Sequence, residues 1–214
     1  MVEKFAHPHD PRGYACFFPD EKQGKMRKVI YAMSVSLDGF IEAPDGDLCW
    51  SYPDQELHQH FNEQEKLIDI HLYGRGLYEN MASYWPTAGE DPAAPQVEQE
   101  YARIWKDMQK VVFSTTLRQV SWNSQLVGRD IAVEVNRLKA QPGGDMSVGG
   151  AGLAASFIQL GLIDEYRLYL FPVILGGGKP MFGSFKNKID LHLVETHRFG
   201  SGVILLRYRR MEEK

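Results

Sequence analysis

A turn made of Gly149, Gly150, Ala151 and Gly152 is the part of this chain whose residue types most directly suggest chemistry. It lies within the segment 145–155, which we interpret as a strand, a tight turn and the start of a helix. Glycines let a backbone approach a ligand closely, and the free N–H groups at a helix N-terminus favour a phosphate. The turn therefore suggests a nucleotide-cofactor site. The alternative is a strand-to-helix turn that needs glycine only for packing.

The residues from Gly150 to Ala155 also match the G-x-G-x-x-G/A fingerprint of a Rossmann dinucleotide site. That fingerprint requires an acidic residue about 20 positions further on, at the end of the next strand, to bind the ribose hydroxyls. Here the next predicted strand ends at Leu175 and continues into Gly176-Gly177-Gly178. The sequence context therefore disfavours a Rossmann domain.

Alternating strands and helices are predicted on both sides of residues 87–95, an Ala-, Pro- and Gly-rich stretch that we interpret as a surface loop. Predicted strands cover residues 28–35, 68–73 and 110–114. Predicted helices begin after Pro53, after Gly76 with an end near Trp85-Pro86, and at residue 129 with an end at 139. A further predicted helix carries Val97, Tyr101, Ile104, Trp105 and Met108 on one face. In the last third, residues 166–175, 191–199 and 203–208 read as strands, and the last two leave no room for a helix between them. The pattern predicts an α/β fold: a mostly parallel sheet flanked by helices, with an antiparallel C-terminal edge.

Composition narrows the classes of partner. The 214 residues carry a formal net charge of −4, which disfavours a nucleic-acid or anionic-membrane surface, and no run of about 18 apolar residues predicts a membrane span. We expect a cytoplasmic protein with a small-molecule partner, with residues 1–26 as an N-terminal arm and 27–214 as a single domain. Cys16 and Cys49 are expected to be reduced thiols. The seven histidines are scattered along the sequence, and we therefore expect no metal site.

Four motifs in a fixed order resemble the dihydrofolate-reductase-like fold. They are the segment from Ala32 to Phe40, the strand exits Gly74-Arg75 and Ser114-Thr115-Thr116, and the turn from Gly149 to Gly152. The chain most resembles the reductase domain of the bifunctional deaminase-reductase of riboflavin biosynthesis, which shares the Ser-Leu-Asp-Gly turn and a late Pro-x-x-x-Gly-x-Gly segment, seen here at 172–178. The resemblance covers roughly residues 27–210, and the zinc-deaminase motif of the other half is absent.

The resemblance implies an NADPH site across the three strand exits. Gly149, Gly150, Ala151 and Gly152 would wrap the pyrophosphate, and Ala32 and Met33 would lie near the nicotinamide. In the same scheme Arg75, after Gly74, would face the 2′-phosphate of the adenosine, supported by Thr115 and Thr116. The alternatives are an exposed surface charge for Arg75 and local backbone hydrogen bonds for the threonines.

The substrate side depends on the segment Trp50-Ser51-Tyr52-Pro53-Asp54, which is similar to the Trp-and-carboxylate segment of dihydrofolate reductases with a spacing one residue shorter. Asp54 is the candidate acid, Glu56 is an alternate, and helix capping is the competing interpretation of Asp54. Phe40, Trp50 and Pro172 are expected to line the substrate space, whereas Asp38 is expected to shape a turn.

Two functions remain open at this point. One is an NADPH-dependent reductase acting on a pterin-like, pyrimidine-like or other small heterocyclic compound, and the other is a non-catalytic nucleotide- or ligand-binding protein of the same fold. The run from Val203 to Leu206 is apolar on both faces of its strand, which suggests burial under helices or in a partner subunit, and we expect a homodimer.

Overall fold

The fold is described from a computed structural model that covers residues 26–185 and 188–211. The expected arm falls outside these ranges except for Met26, and so does Cys16. Within the described residues no helix is long and apolar enough to cross a membrane.

Eight strands of the described chain form one sheet in the order β5-β4-β3-β6-β1-β7-β10-β9. Its strands are β1 (Val29–Ser36), β3 (Ile68–Gly74), β4 (Gln109–Phe113), β5 (Ser124–Val127), β6 (Asp145–Gly149), β7 (Glu165–Phe171), β9 (Leu191–Arg198) and β10 (Ile204–Arg210). From β5 to β7 all neighbouring pairs are parallel, and β10 runs antiparallel to both β7 and β9. The predicted fold class is therefore confirmed. A second, two-stranded sheet pairs β2 (Phe40–Glu42) with β8 (Lys179–Pro180).

Five helices of the described chain cover the two faces of the sheet, namely α1 (Gln55–Glu65), α2 (Arg75–Ala88), α3 (Gln96–Asp107), α4 (Ile131–Lys139) and α5 (Ala151–Gln159). On one face, the main core packs α4 and α5 against strand residues such as Tyr31. On the other face, Leu57 of α1 packs against Tyr169 and Phe171 of β7. Because strand side chains alternate between faces, Tyr166 of β7 belongs to the first core and Tyr169 to the second.

The largest differences from the predicted elements concern β5, β7 and α2. Strand β5 was not predicted, because it is only four residues long and its Ser-Gln-Leu-Val sequence has little apolar pattern. Strand β7 ends at Phe171 rather than at 175, because Pro172 lacks the N–H needed to continue strand pairing and the N–H of Val173 turns back to the carbonyl of Phe171 at 2.8 Å. Helix α2 continues past Trp85 to Ala88 and buries the ring of Pro86, so the predicted loop begins two residues later than expected.

The run from Val203 to Leu206 divides between the two faces of the sheet. Val203 and Leu205 are buried in the core that contains Leu57. Ile204 points to the opposite face, where 38% of it is exposed. One face of this strand is thus covered by a helix, as the sequence suggested, and the other is not.

Candidate functional site

The glycine turn connects β6 to α5 at the carboxyl edge of the sheet. Gly150 is the N-cap of α5 with φ +87, a conformation that favours glycine, and no side chain caps the helix. The first N–H groups of a helix have no partner within the helix. The turn therefore presents backbone donors at the positive end of the helix dipole, as an anion-binding turn requires.

The glycines of this turn are required for different reasons. A Cβ at Gly149 would overlap Leu77 Cδ2 of α2 and come within 3.3 Å of the ring of Tyr73, so packing alone explains that glycine. A Cβ at Gly152 would meet nothing within 4 Å, and the residue is exposed. Packing does not explain Gly152, whereas close approach of a ligand would.

The predicted strand exits lie side by side because their strands are neighbours in the order β4-β3-β6. Tyr73, just before Gly74, is opposite Gly149 in the β3–β6 register, and a Cβ at Gly74 would be 3.5 Å from Leu153 Cβ of α5. Helix α2, like α5, has a glycine N-cap with no side-chain hydrogen bond. Two helix N-termini without side-chain caps thus meet at one edge of the sheet.

Arg75 and Thr116 come together across 41 residues of sequence. The Arg75 Nη1 donates to Thr116 Oγ1 at 3.3 Å, and its Nε lies 3.8 Å from a carboxylate oxygen of Glu79. Thr115 is exposed beside them. Ser114 provides the local turn bonding, because its Oγ accepts from the N–H of Thr116 at 3.2 Å and from that of Leu117 at 3.0 Å. The Arg75 and Thr116 side chains are thus exposed and bonded to each other.

A cleft of about 320 Å³ opens on the sheet face that α1 covers. It is lined by Ile30, Ala32, Met33, Ser34, Ile41, Leu48, Ser51, Phe61, Gln64, Glu65, Ile68, Ser147, Arg167 and Tyr169. Strand β1, which carries Ala32, is the sheet neighbour of β6 and hence of the glycine turn. The cleft is therefore close to the strand edge that presents the backbone donors.

Asp54 is the N-cap of α1, and its Oδ1 accepts from the N–H of Leu57 at 2.9 Å. It lines a separate cavity of about 220 Å³ together with Trp50 and Pro172, as well as a larger polar cavity of about 640 Å³ between α1 and α3. Phe40 lies elsewhere, in β2, where it pairs with Pro180. The structure thus brings three of the four predicted substrate-side residues together, but outside the 320 Å³ cleft. Their substrate contacts stay a prediction.

The alternate acid, Glu56, is bonded to a loop. Its Oε2 accepts from the N–H of Gly200 at 2.9 Å. Neither Glu56 nor Asp54 is among the residues that line the cleft. The observed role of Asp54 is helix capping, and its acid role stays a prediction.

The family is established by comparison with known proteins. Residues 27–205 match the model of the RibD C-terminal domain. The chain belongs to the RibD C-terminal domain family. Bacillus subtilis YyaP, an uncharacterized protein, is 39% identical over 185 residues, which is 86% of this chain and 95% of that protein. Bacillus subtilis YwjB, also uncharacterized, is 26% identical over 184 residues, or 84% and 96% of the two chains.

Solved structures share the fold of this RibD C-terminal domain protein. A Shewanella sp. PV-4 protein named for riboflavin biosynthesis superimposes with a TM-score of 0.69 at 22% identity, covering 86% of this chain and 99% of that one. The Thermotoga maritima diaminohydroxyphosphoribosylaminopyrimidine deaminase/5-amino-6-(5-phosphoribosylamino)uracil reductase gives a TM-score of 0.59 at 17% identity, with 87% and 57% covered. This chain thus matches somewhat more than half of the length of the Thermotoga maritima protein.

Asp38 does more in this family member than shape its own turn. Its Oδ1 accepts from Ser36 Oγ at 2.7 Å and from the N–H of Leu175 at 3.1 Å, and its Oδ2 accepts from the N–H of Gly176 at 2.7 Å. These hydrogen bonds, that from Ser36 above all, lower the pKa of the Asp38 carboxyl. The carboxylate ties the glycine-rich segment after β7 to the end of β1.

Several polar residues of the cleft were not identified from the sequence. Glu65, at the end of α1, has its Oε2 2.6 Å from His71 Nε2. Arg167 donates from Nε to buried Glu165 at 2.8 Å and from Nη1 to Gln64 at 2.8 Å. No short motif links these residues, and the only signal available is that polar residues occupy predicted strand positions at 71 and 167. Among the described residues no group of three or more His, Cys, Asp or Glu is arranged to hold a metal ion.

Proposed function

We propose that this chain is an NADPH-dependent reductase that transfers a hydride to a small heterocyclic substrate, as 5-amino-6-(5-phosphoribosylamino)uracil reductases and dihydrofolate reductases do. The observation that carries the proposal is the alignment of the exits of β4, β3 and β6, where two helix N-termini without side-chain caps adjoin. The open space beside Gly152 supports a ligand at this edge rather than a turn required only by packing. NADPH supplies the hydride when it is bound.

Different residues at the carboxyl edge of the sheet would bind different parts of the cofactor. The backbone N–H groups of the turn from Gly149 to Gly152 would bind the pyrophosphate, and Arg75 with Thr115 and Thr116 would bind the 2′-phosphate. A planar guanidinium next to hydroxyl donors suits a doubly charged phosphate. The half-exposed position of Arg75 suits contact with a ligand as well as with Glu79. NADPH should therefore bind more tightly than NADH.

The cleft would hold the nicotinamide and the substrate against β1. Ala32 has no side chain beyond Cβ, so a flat ring can approach the strand, and Phe61 provides an apolar wall. With a volume of about 320 Å³, the cleft suits a molecule of one or two rings. We infer a pterin-like, pyrimidine-like or similar C=N or C=O compound as the substrate class.

The test of the cofactor assignment is a titration of intrinsic tryptophan fluorescence with NADPH and NADH. We expect Arg75→Ala to weaken NADPH binding about 10- to 100-fold, the loss of a charged hydrogen-bonding group, and to leave NADH binding unchanged. Arg137→Ala is the matched control, because Arg137 is also an exposed arginine paired with a glutamate on its own helix, Glu134. Equal affinity of the unaltered protein for both cofactors would overturn the role of Arg75.

The test of catalysis follows the loss of NADPH absorbance with a panel of pterins, pyrimidine intermediates and quinonoid dyes. Turnover of a panel member identifies the substrate class. Tight NADPH binding without oxidation across the panel would favour the other function, a nucleotide-binding protein of the same fold.

We also propose that the chain forms a homodimer through the partly exposed face at Ile204 of β10 and the adjoining part of β7. Ile204 and Leu206 on β10 lie opposite Leu170 and Leu168 on β7, which makes a continuous apolar strip on that face. Apolar patches that a single chain exposes to solvent are typical of protein–protein interfaces. Light scattering should give twice the mass of one chain for the unaltered protein, and the mass of a single chain for the Ile204→Glu variant. A monomeric mass for the unaltered protein would overturn the proposal.

A further inference from the structure

We propose that Glu65, with His71 behind it, supplies the proton that completes substrate reduction, a role that sequence analysis offered to Asp54. The inference rests on the proposed reductase function and assigns an additional catalytic residue to it. His71 is a positioning residue in this scheme, because it contacts Glu65 rather than the substrate.

The Glu65 carboxyl faces both the cleft and a buried imidazole. It belongs to the last residue of α1, and it lines the cleft together with Ala32 and Ser147. Its Oε2 lies 2.6 Å from His71 Nε2, and His71 is directly opposite Ser147 in the β3–β6 register. The His71 side chain is 6% exposed and that of Glu65 is 23% exposed. A proton held between these two groups is therefore shielded on the His71 side and accessible on the Glu65 side.

The other acidic and proton-bearing groups are less suitable. Among the described residues that line the cleft, Glu65 is the one carboxylate. Asp54 accepts the N–H of Leu57 and lines other cavities. The Tyr169 hydroxyl is bonded to His60 Nε2 at 3.0 Å, and burial raises the pKa of Tyr169, so it holds its proton tightly. The Arg167 guanidinium is already bonded to Glu165 and Gln64.

The proton balance follows from the reaction class. When a C=N or C=O group is reduced, the hydride from the dihydronicotinamide forms the new C–H bond, and the π electrons move to the nitrogen or oxygen. The Glu65 O–H bond then breaks and a new N–H or O–H bond forms on the substrate. The Glu65–His71 pair is left one proton short, and water that enters the cleft restores it. Positioned proton donors of this kind contribute about 100- to 10,000-fold to rates.

The experiment compares Glu65→Gln with Glu63→Gln, using whichever panel compound the unaltered protein reduces. Glu63 is an exposed residue two positions earlier on α1 and does not line the cleft, so it controls for the loss of a carboxylate from this helix. We expect Glu65→Gln to lower kcat about 100-fold or more, with the Kd for NADPH and the KM within about threefold. Glu65→Asp should recover part of kcat, because it retains an ionisable carboxyl. This variant also provides a test if the glutamine variant folds poorly.

A second readout does not depend on activity. In ¹⁵N-histidine NMR of the NADPH-bound protein, the ring signals of His71 should shift when Glu65→Gln is introduced, and should shift in the unaltered protein when a panel compound is added. His71→Gln should lower kcat more than it raises KM, which a purely structural role would not predict.

The outcomes separate this inference from the proposed function. Unchanged kcat in Glu65→Gln, or loss of kcat in Asp54→Asn instead, overturns the role of Glu65 and leaves the reductase function intact. If the unaltered protein binds NADPH but reduces nothing, both the reductase function and the proton-donor role are overturned.

Discussion

Replacing Gly152 by alanine separates a phosphate-binding turn from a packing turn. Gly152 is in the first turn of α5, its φ is not positive, and a Cβ there would have no protein atom within 4 Å. Because alanine is favoured over glycine in helices by about 0.5–1 kcal/mol, Gly152→Ala should leave the free energy of unfolding unchanged or raise it by up to about that amount. Because no protein atom lies near the new methyl group, the methyl group could obstruct only a bound ligand.

If the turn binds the pyrophosphate of the cofactor, the methyl group introduced by Gly152→Ala would obstruct that binding. We expect Gly152→Ala to weaken NADPH binding by about tenfold, or about 1.4 kcal/mol. Gly149→Ala provides the contrast, since its Cβ would overlap Leu77 Cδ2. Overpacking of this kind costs about 1–3 kcal/mol of stability, so Gly149→Ala should lower the denaturation midpoint.

The assay combines urea denaturation, which gives the free energy of unfolding, with NADPH titration of tryptophan fluorescence for each variant. Gln159→Ala, at the exposed far end of α5, controls for a surface change on the same helix. Wild-type NADPH affinity in a stable Gly152→Ala protein would refute the reasoning, because the open space would then have no ligand to explain it. A destabilised Gly152→Ala protein would show that a Cβ at this position does meet protein atoms.

Three further predictions concern charged groups. Burial lowers the pKa of Lys110 to about 8 from its ordinary value of 10.5. Between these two pH values the unfolded chain holds a proton that the folded chain has released, so the free energy of unfolding rises with pH in this window. Urea titrations should therefore show that wild-type stability relative to Lys110→Met increases between pH 8 and pH 10.5. Burial would raise the pKa of Glu165, but Arg167 and Arg207 outweigh it and lower the value, so the stability that this group contributes is present above pH 4.5 and lost as pH falls through the lower pKa. Glu165→Gln should cost about 3–5 kcal/mol in the same assay at neutral pH, and a cost near zero would contradict the ion-pair account. Asp38→Asn should increase amide hydrogen exchange at Leu175 and Gly176, and unchanged exchange would show that those bonds do not hold the segment.

The strand exits were predictable because each depends on a short stretch of chain. Gly149 to Gly152 follows an apolar run and precedes helical spacing, and Gly74-Arg75 likewise separates a strand from a helix. Among these glycines Gly150 has the positive φ that few other residues adopt, whereas Gly74 is in an extended conformation that any residue can adopt. That the exits lie side by side followed only from the family resemblance, and the strand order β4-β3-β6 bears it out.

The acid of the cleft could not be identified in the same way. Asp54 follows Trp50 at a spacing close to a known segment, yet it caps α1. Glu65 is eleven residues later on the same helix, in a polar segment with no motif, and only the approach of α1 to β3 places its carboxyl beside His71. Strand β5 was missed for a related reason, since its four residues form a strand through pairing with β4 rather than through their own pattern.

The sequence by itself determined the order of strands and helices, the mostly parallel sheet with its antiparallel edge, and the positions of the glycine turns. These depend on side-chain periodicity and backbone preferences that act over a few residues. The tertiary structure decided which side chains share the cleft, which glycines are required for packing, and which face of β10 stays uncovered. Those features depend on contacts between segments distant in the chain, such as Gly149 with Leu77 and Arg75 with Thr116, which no local pattern encodes.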